Sequence, residues 1–203
     1  MGRNDAPNAR SQNVGAPYFS GIGSQAAANS IIFAIDSPDG TDLWALDYWL
    51  SAPFQALTLL DPDLKTIGYG RFRDDFGGVQ VAFVMDSISG MDDGSTPADQ
   101  YPITYPADGG TSYFAAQGFN EFPEPTASCP GYEKPTGPPL IIQLGNGEKT
   151  PQVTGTSVKI NGFDVEHCTF DETNFIGRDA AEQDAGRITL GCLLYTSPSP
   201  RDS

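Results

Sequence analysis

The chain of 203 residues is poor in basic side chains. It holds 11 Lys and Arg against 26 Asp and Glu, which gives a formal net charge of −15. Binding to nucleic acid and to anionic lipid depends on Lys and Arg that neutralise phosphate groups. The composition therefore argues against nucleic acid and acidic lipid as partners.

Long apolar runs are also missing. The longest are Ile31 to Ile35 and Val81 to Met85, whereas a membrane-spanning helix needs about 18 or more apolar residues. We therefore expect no membrane span. Residues 1–5 carry neither the basic nor the apolar region of a secretory signal. This leaves either a cytosolic protein or a chain whose true start is missing.

Histidine occurs once, as His167, and cysteine three times, as Cys129, Cys168 and Cys192. A Ser/His/Asp or Cys/His catalytic arrangement would have to use His167. If His167 and Cys168 both lie on a strand, the side chain of Cys168 points to the opposite face from that of His167. We therefore expect an ordinary strand histidine and assign no catalytic residue. Three cysteines leave one without a partner.

Acidic residues cluster at 36–42, 74–75 and 92–93. None of these clusters reproduces the Asp-x-Asp-x-Asp-Gly spacing, with Glu at the twelfth position, of a calcium-binding EF-hand. Nothing in the sequence places two carboxylates across a cleft for glycoside hydrolysis. We predict no metal site and no cofactor.

The first half of the chain carries helix and hairpin signals. Residues 26–35 suggest a short helix. Thr41 is a suitable N-cap for a helix over 42–50, in which Leu43, Leu46 and Leu50 would form a buried stripe, and Pro53 would end it. Residues 65–72 and 79–86 alternate as two strands of a β-hairpin.

The second half begins with a Pro- and Gly-rich stretch over residues 87–139, which predicts an extended linker. Residues 140–144 and 153–160 then suggest strands. Asn161-Gly162 predicts a two-residue type I′ hairpin turn. An acidic helix is expected over residues 177–190, leading into a strand.

One segment resembles a family signature. It runs without gaps as Trp49-Leu-Ser-Ala-Pro-Phe-Gln-Ala-Leu-Thr-Leu-Leu-Asp-Pro-Asp-Leu-Lys-Thr-Ile-Gly-Tyr-Gly70. It is similar to the bacterial form of the CAP superfamily, the SCP domain of cysteine-rich secretory, antigen 5 and pathogenesis-related 1 proteins. The family pattern is a helix ending in Trp, a Ser/Ala-Pro step, a His, an apolar run with Asp/Asn-Pro, and an Ile/Val-Gly-Tyr/Val-Gly strand.

The resemblance implies an α+β fold in several parts. Residues 1–86 would be the C-terminal part of a CAP α-β-α sandwich, 87–137 a Pro/Gly-rich extension, and 138–191 an incomplete β-sandwich-like module. Residues 192–203 resemble the translation of a sequencing adapter, and Met1 resembles an internal start. We therefore expect a chain truncated at both ends that lacks its signal peptide.

In the family, the position of Gln55 is often a His, one of four His and Glu side chains that line a cleft and bind a divalent metal in some members. A neutral amide cannot supply the imidazole lone pair that Zn²⁺ prefers, so the resemblance implies no metal here. Candidates for lining a ligand cleft are Gln55, Trp49, Phe54 and Tyr69. For the aromatic residues near this helix, Trp44, Tyr48, Trp49 and Phe54, a core cluster is the first interpretation and a ligand cleft the second.

With Cys192 assigned to the foreign tail, Cys129 and Cys168 remain as a pair. We expect them to form a disulfide worth about 3–4 kcal/mol in the loop-entropy model. Such a bond needs an oxidising compartment, and this agrees with the secretion typical of the family. The expected location is therefore extracellular.

Three functions are compatible with this interpretation. The first is a non-enzymatic extracellular binding module for a small apolar ligand, a cell-wall component or a protein at the cell surface. The second is a cell-wall or peptide hydrolase whose catalytic residues lie upstream of Met1. The third is a structural adhesion protein.

Overall fold

The computed structural model describes residues 10–74, 78–92, 97–112, 115–118, 120–147, 149–150, 152–190 and 193–198. Over these residues, four α-helices combine with small antiparallel sheets. This confirms the predicted α+β class. The chain divides into two compact units, one formed by residues 1–49 and 61–95 and the other by residues 50–60 and 96–203.

The first unit contains a three-stranded antiparallel sheet. Its elements are helix α1 (Gly21–Ala28), strand β1 (Ser30–Ile35), helix α2 (Asp42–Ser51, of which the last two residues belong to the second unit), strand β2 (Gly68–Arg73) and strand β3 (Val81–Asp86). The strand order is β1-β3-β2. The predicted hairpin is thereby confirmed, with Gly68 opposite Asp86 and Arg73 opposite Val81. Its connection includes residues 75–77, which lie outside the described residues.

The predicted helix over residues 26–35 is wrong for most of its length. Helix α1 ends at Ala28, and the chain is a strand from Ser30 onward. Ile31, Ile32 and Ile35 are β-branched and lose side-chain freedom in a helix. In β1 they pair instead along the central strand β3, where such side chains pack well.

Helix α2 begins as predicted, because the hydroxyl of Thr41 accepts the backbone N–H of Trp44 at 3.2 Å. The predicted leucine stripe is wrong. Leu43 is 69% exposed and Leu46 39% exposed, whereas Ala45 and Trp49 are buried. The two sets lie on different faces of the same helix. Burying the large indole removes more apolar surface from water than burying a leucine, and Ala45 leaves room for close packing on that face.

The second unit begins with a helix that the sequence did not predict, α3 (Pro53–Leu60). Helix α2 does end before Pro53, at Ser51. However, Pro53 is also the first residue of α3, a position at which proline is well tolerated because the N–H of that position needs no helical partner.

The remaining elements of this unit are strands β4 (Ile103–Tyr105), β5 (Leu140–Gln143), β6 (Val158–Ile160), β7 (Phe163–Val165) and β8 (His167–Phe170), helix α4 (Ala180–Leu190) and strand β9 (Leu193–Pro198). Four strands form a sheet in the order β4-β5-β9-β8. Strand β4 lies within the stretch predicted to be a linker, and β9 within the stretch that resembles an adapter.

Local sequence signals place several of these elements. Strand β5 confirms the strand predicted at 140–144. Helix α4 confirms the acidic helix expected in residues 177–190, although it begins at Ala180 and continues to Leu190. Strands β6 and β7 form a hairpin, in which Asn161 and Gly162 both have positive φ, 52° and 86°. This confirms the two-residue turn, since type I′ requires positive φ at both central residues.

The core of the second unit is built around three phenylalanines. Phe54 of α3 lies with its ring centre 5.5 Å from that of Phe175 and 6.3 Å from that of Phe170. The rings of Phe170 and Phe175 are 5.4 Å apart. Buried residues packed with them are Ala56, Leu57, Cys129, Ile141 and Leu190. This core fixes the start of α3 against the 121–129 segment.

Candidate functional site

The four predicted cleft residues fall into both units. Trp49 and Tyr69 belong to the first unit, and Phe54 and Gln55 to the second. Trp49, Phe54 and Gln55 are buried, whereas Tyr69 is half-exposed. Phe54 has the surroundings of a core side chain, because it packs between Phe170 and Phe175.

Tyr69 takes part in a polar cluster on the surface of the first unit. Its hydroxyl donates to the carboxylate of Asp42 at the start of α2, and Nη1 of Arg71 lies 3.5 Å from Oδ2 of Asp42. Desolvation, followed by the hydrogen bond to Asp42 and its charge, raises the pKa of Tyr69 to about 12. The phenol therefore stays neutral at physiological pH and can act as a hydrogen-bonding aromatic surface.

Gln55 meets a buried acid at the start of α3. Its backbone N–H donates to Oε1 of Glu121 at 2.8 Å. A carboxyl group in this place complements the unpaired N–H groups of a first helical turn. Burial nevertheless raises the pKa of Glu121 well above its ordinary value, against the opposing effects of Lys134 and of the Gln55 and Phe54 N–H groups. The charge of Glu124 acts in the same direction as burial.

Glu124 lies three residues further on and is held by a cation. Its Oε2 is 2.7 Å from Nζ of Lys134. Its Oε1 accepts the hydroxyl of Thr126 at 2.8 Å and the N–H of Thr126 at 3.2 Å, which caps a short 3-10 turn at Pro125–Ser128. This carboxylate therefore fixes the chain just before Cys129.

Glu182 of α4 is the third buried glutamate. It accepts the backbone N–H and the Nε–H of Arg178, both at 2.9 Å. Hydrogen bonding from Arg178 is the main reason why the pKa of Glu182 is lowered, and the backbone N–H of Glu124 lowers it further. Glu121, Glu124 and Glu182 thus meet around one loop, and the three carboxyl groups have different surroundings.

Sequence reasoning missed this cluster of glutamates. The local signal is the Glu-x-x-Glu spacing of Glu121 and Glu124, of which Glu124 is flanked by two prolines, inside a stretch predicted to be a linker. Acidic side chains are rarely buried unless they are paired. Gln55 is 66 residues away from Glu121 in sequence, whereas Lys134 is ten residues from Glu124 and Arg178 four residues from Glu182.

His167 lies on β8, as expected for a strand histidine. Its Nδ1 is 3.1 Å from the carbonyl oxygen of Val165, and its Nε2 is 3.0 Å from the hydroxyl of Thr156. Because a carbonyl can only accept, Nδ1–H donates to Val165, and Nε2 shares the second hydrogen bond with the hydroxyl of Thr156. Both nitrogens are therefore engaged without a carboxylate.

The predicted disulfide is confirmed. Cys129 and Cys168 are bonded, with Cα atoms 5.7 Å apart and a sequence separation of 39. The bond joins the end of the 3-10 turn to strand β8 beside the phenylalanine core. Cys192 lies outside the described residues.

The described part of the chain contains neither a candidate metal site nor a candidate membrane span. No group of three or more His, Cys, Asp or Glu side chains there could hold a metal ion. Among the same residues, no helix has the length and apolar character needed to cross a bilayer.

Comparison with protein-family models, with curated proteins and with solved structures returned no match for this chain.

Proposed function

We propose that the chain belongs to a secreted bacterial protein of the CAP superfamily and acts as a non-enzymatic extracellular binding module. The observation that carries this proposal is the Cys129–Cys168 disulfide beside the core of the second unit. Disulfides of this kind persist in oxidising compartments and are rare in the cytosol. The proposed membership of the CAP superfamily rests on the signature from Trp49 to Gly70.

Two side chains support binding rather than catalysis. Gln55 carries a neutral amide at the position where the family often has a metal-binding histidine. His167 bonds a threonine hydroxyl and a backbone carbonyl, so it lacks the carboxylate that orients the histidine of a Ser/His/Asp triad.

The partner we propose is a small apolar ligand or a component of the cell surface. Of the four cleft candidates, Tyr69 is the one with substantial solvent access. Trp44, on the exposed side of α2, is also accessible. Exposed aromatic side chains of this kind supply large contact areas with a polar end.

A sedimentation assay with isolated bacterial cell walls tests the binding proposal. We expect the bound fraction of the full chain to fall several-fold in Tyr69→Ala and in Trp44→Ala. Phe163→Ala is the matched control, because Phe163 is an exposed aromatic residue of the second unit. Equal binding by all four proteins would contradict the assignment of the surface.

An ester- and peptide-hydrolysis assay tests the non-enzymatic part separately. We expect no turnover above that of buffer. Turnover that is lost in His167→Gln would overturn the proposal in favour of a hydrolase that uses the hydroxyl of Thr156.

A further inference from the structure

Helix α2 carries large apolar side chains on its solvent side. Leu43 is 69% exposed, Trp44 47% and Leu46 39%. Leu43 and Leu46 are one helical turn apart, so their side chains are neighbours on the helix surface, and Trp44 follows Leu43 directly in sequence. These three residues form the exposed face of α2.

The spacing of the two leucines is that of a packed helix surface. Apolar residues three and four positions apart ordinarily face a core, but in α2 that place is taken by the side with Ala45 and Trp49. A single exposed leucine is common in soluble proteins. Adjacent exposed apolar residues, by contrast, typically mark a binding site for a protein, a membrane or a ligand. The exposed face of α2 therefore has the character of an interaction surface.

Acidic side chains flank this face along the chain. Asp47 is exposed one turn after Leu43, and Asp39 is exposed in the turn that leads into α2. Helix α2 itself contains two aspartates and neither Lys nor Arg. Arg71 pairs with the first of them, Asp42, at 3.5 Å. Such a surface repels anionic lipid and attracts a partner that carries Lys or Arg.

We propose that the exposed face of α2 docks a basic amphipathic helix of another protein. The apolar side chains of that helix pack against Leu43, Trp44 and Leu46, as when an amphipathic helix lays its apolar side on an apolar surface. Its Lys or Arg residues lie at the edge of the contact and pair with Asp47 and Asp39. The inference rests on the proposed binding function, with which it shares Trp44, and it names the class of the partner.

A second copy of this chain fits the exposed face of α2 poorly. Two α2 helices packed together would bring the aspartates of both to one interface, without a basic residue from either helix. Each chain also carries a net charge of −15, and like charges that face each other across an interface weaken it. A partner helix that supplies Lys or Arg removes this repulsion.

Fluorescence anisotropy with a labelled peptide tests the docking. The probe is a peptide of about 18 Leu and Lys residues with one apolar side, which is long enough to form a helix. A comparison peptide carries Glu in place of every Lys. We expect the full chain to bind the Lys peptide and to leave the Glu peptide free.

Substitutions show whether the exposed face of α2 is the binding surface. We expect the dissociation constant of the Lys peptide to rise about tenfold in the double variant Leu43→Ser and Leu46→Ser, because central apolar anchors carry most of the binding energy. Asp47→Asn should raise it less and should weaken its salt dependence. Leu144→Ser is the matched control, because Leu144 is 39% exposed, as Leu46 is, and lies in the second unit.

NMR of the wild type gives a measurement that needs no variant. Adding the Lys peptide should change the backbone amide shifts of residues 42–47 and leave those of the β6–β7 hairpin unchanged. Changes spread evenly over both units would contradict a docking site on α2. The same is true of a Lys peptide that does not bind, or that binds the double variant as tightly as the wild type.

The remaining outcomes separate this inference from the proposed function. Dimerisation in sedimentation velocity that is lost in the double variant would overturn the inference, because the occupant would then be a second copy. Peptide binding that is insensitive to the two leucines, together with cell-wall binding that depends on Tyr69, would overturn the inference alone. Cell-wall binding that is unchanged in Tyr69→Ala and Trp44→Ala would instead contradict the proposed function.

Discussion

Nζ of Lys134 lies 2.7 Å from Oε2 of Glu124, and the two side chains are only 16% and 10% exposed. Removing one partner of a buried pair leaves an uncompensated charge in a poorly solvated place. We expect Lys134→Met to lower the free energy of unfolding by about 3 kcal/mol, measured by urea denaturation.

The exposed pair formed by Lys159 and Asp164 provides the control for this prediction. Its atoms are 3.2 Å apart, and its side chains are 56% and 75% exposed. Water screens such pairs, so Lys159→Met should change the free energy of unfolding by less than about 1 kcal/mol. Equal effects of Lys134→Met and Lys159→Met on the free energy of unfolding would contradict the prediction that burial strengthens the contribution of the Lys134–Glu124 pair.

The disulfide closes a long loop between Cys129 and Cys168. Cross-linking residues at this separation removes denatured-state entropy worth about 4 kcal/mol in the loop-entropy model. We expect the double variant Cys129→Ala and Cys168→Ala to lose stability of this order. A reducing agent should lower the melting temperature of the wild type and leave that of the double variant unchanged. A reductant effect of equal size in both proteins would contradict the assignment.

Helix α2 has two apolar faces, and the face that contains Trp49 is the buried one. We expect Trp49→Ala to lower the free energy of unfolding by about 3–5 kcal/mol, as for other buried aromatic side chains. Leu43→Ala, on the exposed face, should change it by less than about 0.5 kcal/mol. A larger loss of unfolding free energy in Leu43→Ala than in Trp49→Ala would instead support the buried leucine stripe predicted from the sequence.

Features controlled by neighbouring residues could be predicted from the sequence. The start of α2 follows from the side chain of Thr41, and the β6–β7 turn follows from the conformational freedom of Asn161 and Gly162. In both places, the residues that determine the geometry are within three positions of each other. The hairpin of β2 and β3 was predicted instead from the alternation within each strand, although its innermost paired residues, Arg73 and Val81, are eight positions apart.

Features that depend on distant partners could not be predicted. The spacing of Leu43 and Leu46 fits a buried helix face as well as that of Ala45 and Trp49 does, and tertiary packing decides between them. Similarly, Pro53 is a helix stop in one context and a first helical residue in another. The burial of Glu121 and Glu124 requires Gln55 and Lys134, which no local pattern connects to them.

Tyr69 gives a prediction at alkaline pH. The pKa of its phenol is raised to about 12 by desolvation and by Asp42, so this group favours the folded state below the ordinary tyrosine pKa of 10.0 and loses that contribution as the pH rises toward 12. We expect Asp42→Asn to lower the pKa of Tyr69 toward its ordinary value. Ultraviolet titration of tyrosinate, with Tyr69→Phe to identify the signal, measures the shift. An unchanged titration in Asp42→Asn would show that the carboxylate of Asp42 does not act on the phenol.

Gly186 lies inside α4, where intrinsic helix propensity favours alanine by about 1 kcal/mol. A Cβ atom at this position would overlap the ring of Phe175, which is fully buried and fixed between Phe54 and Phe170. The ring is buried and packs against both phenylalanines, and overpacking a dense core typically costs about 1–3 kcal/mol. We therefore expect Gly186→Ala to destabilise the protein in urea unfolding, although helix propensity alone predicts that it stabilises α4.

Ala181→Gly, at an exposed position of the same helix, is the control and should destabilise the protein by about 1 kcal/mol, as helix propensity predicts. A stabilising Gly186→Ala would mean that α4 does not approach Phe175 so closely.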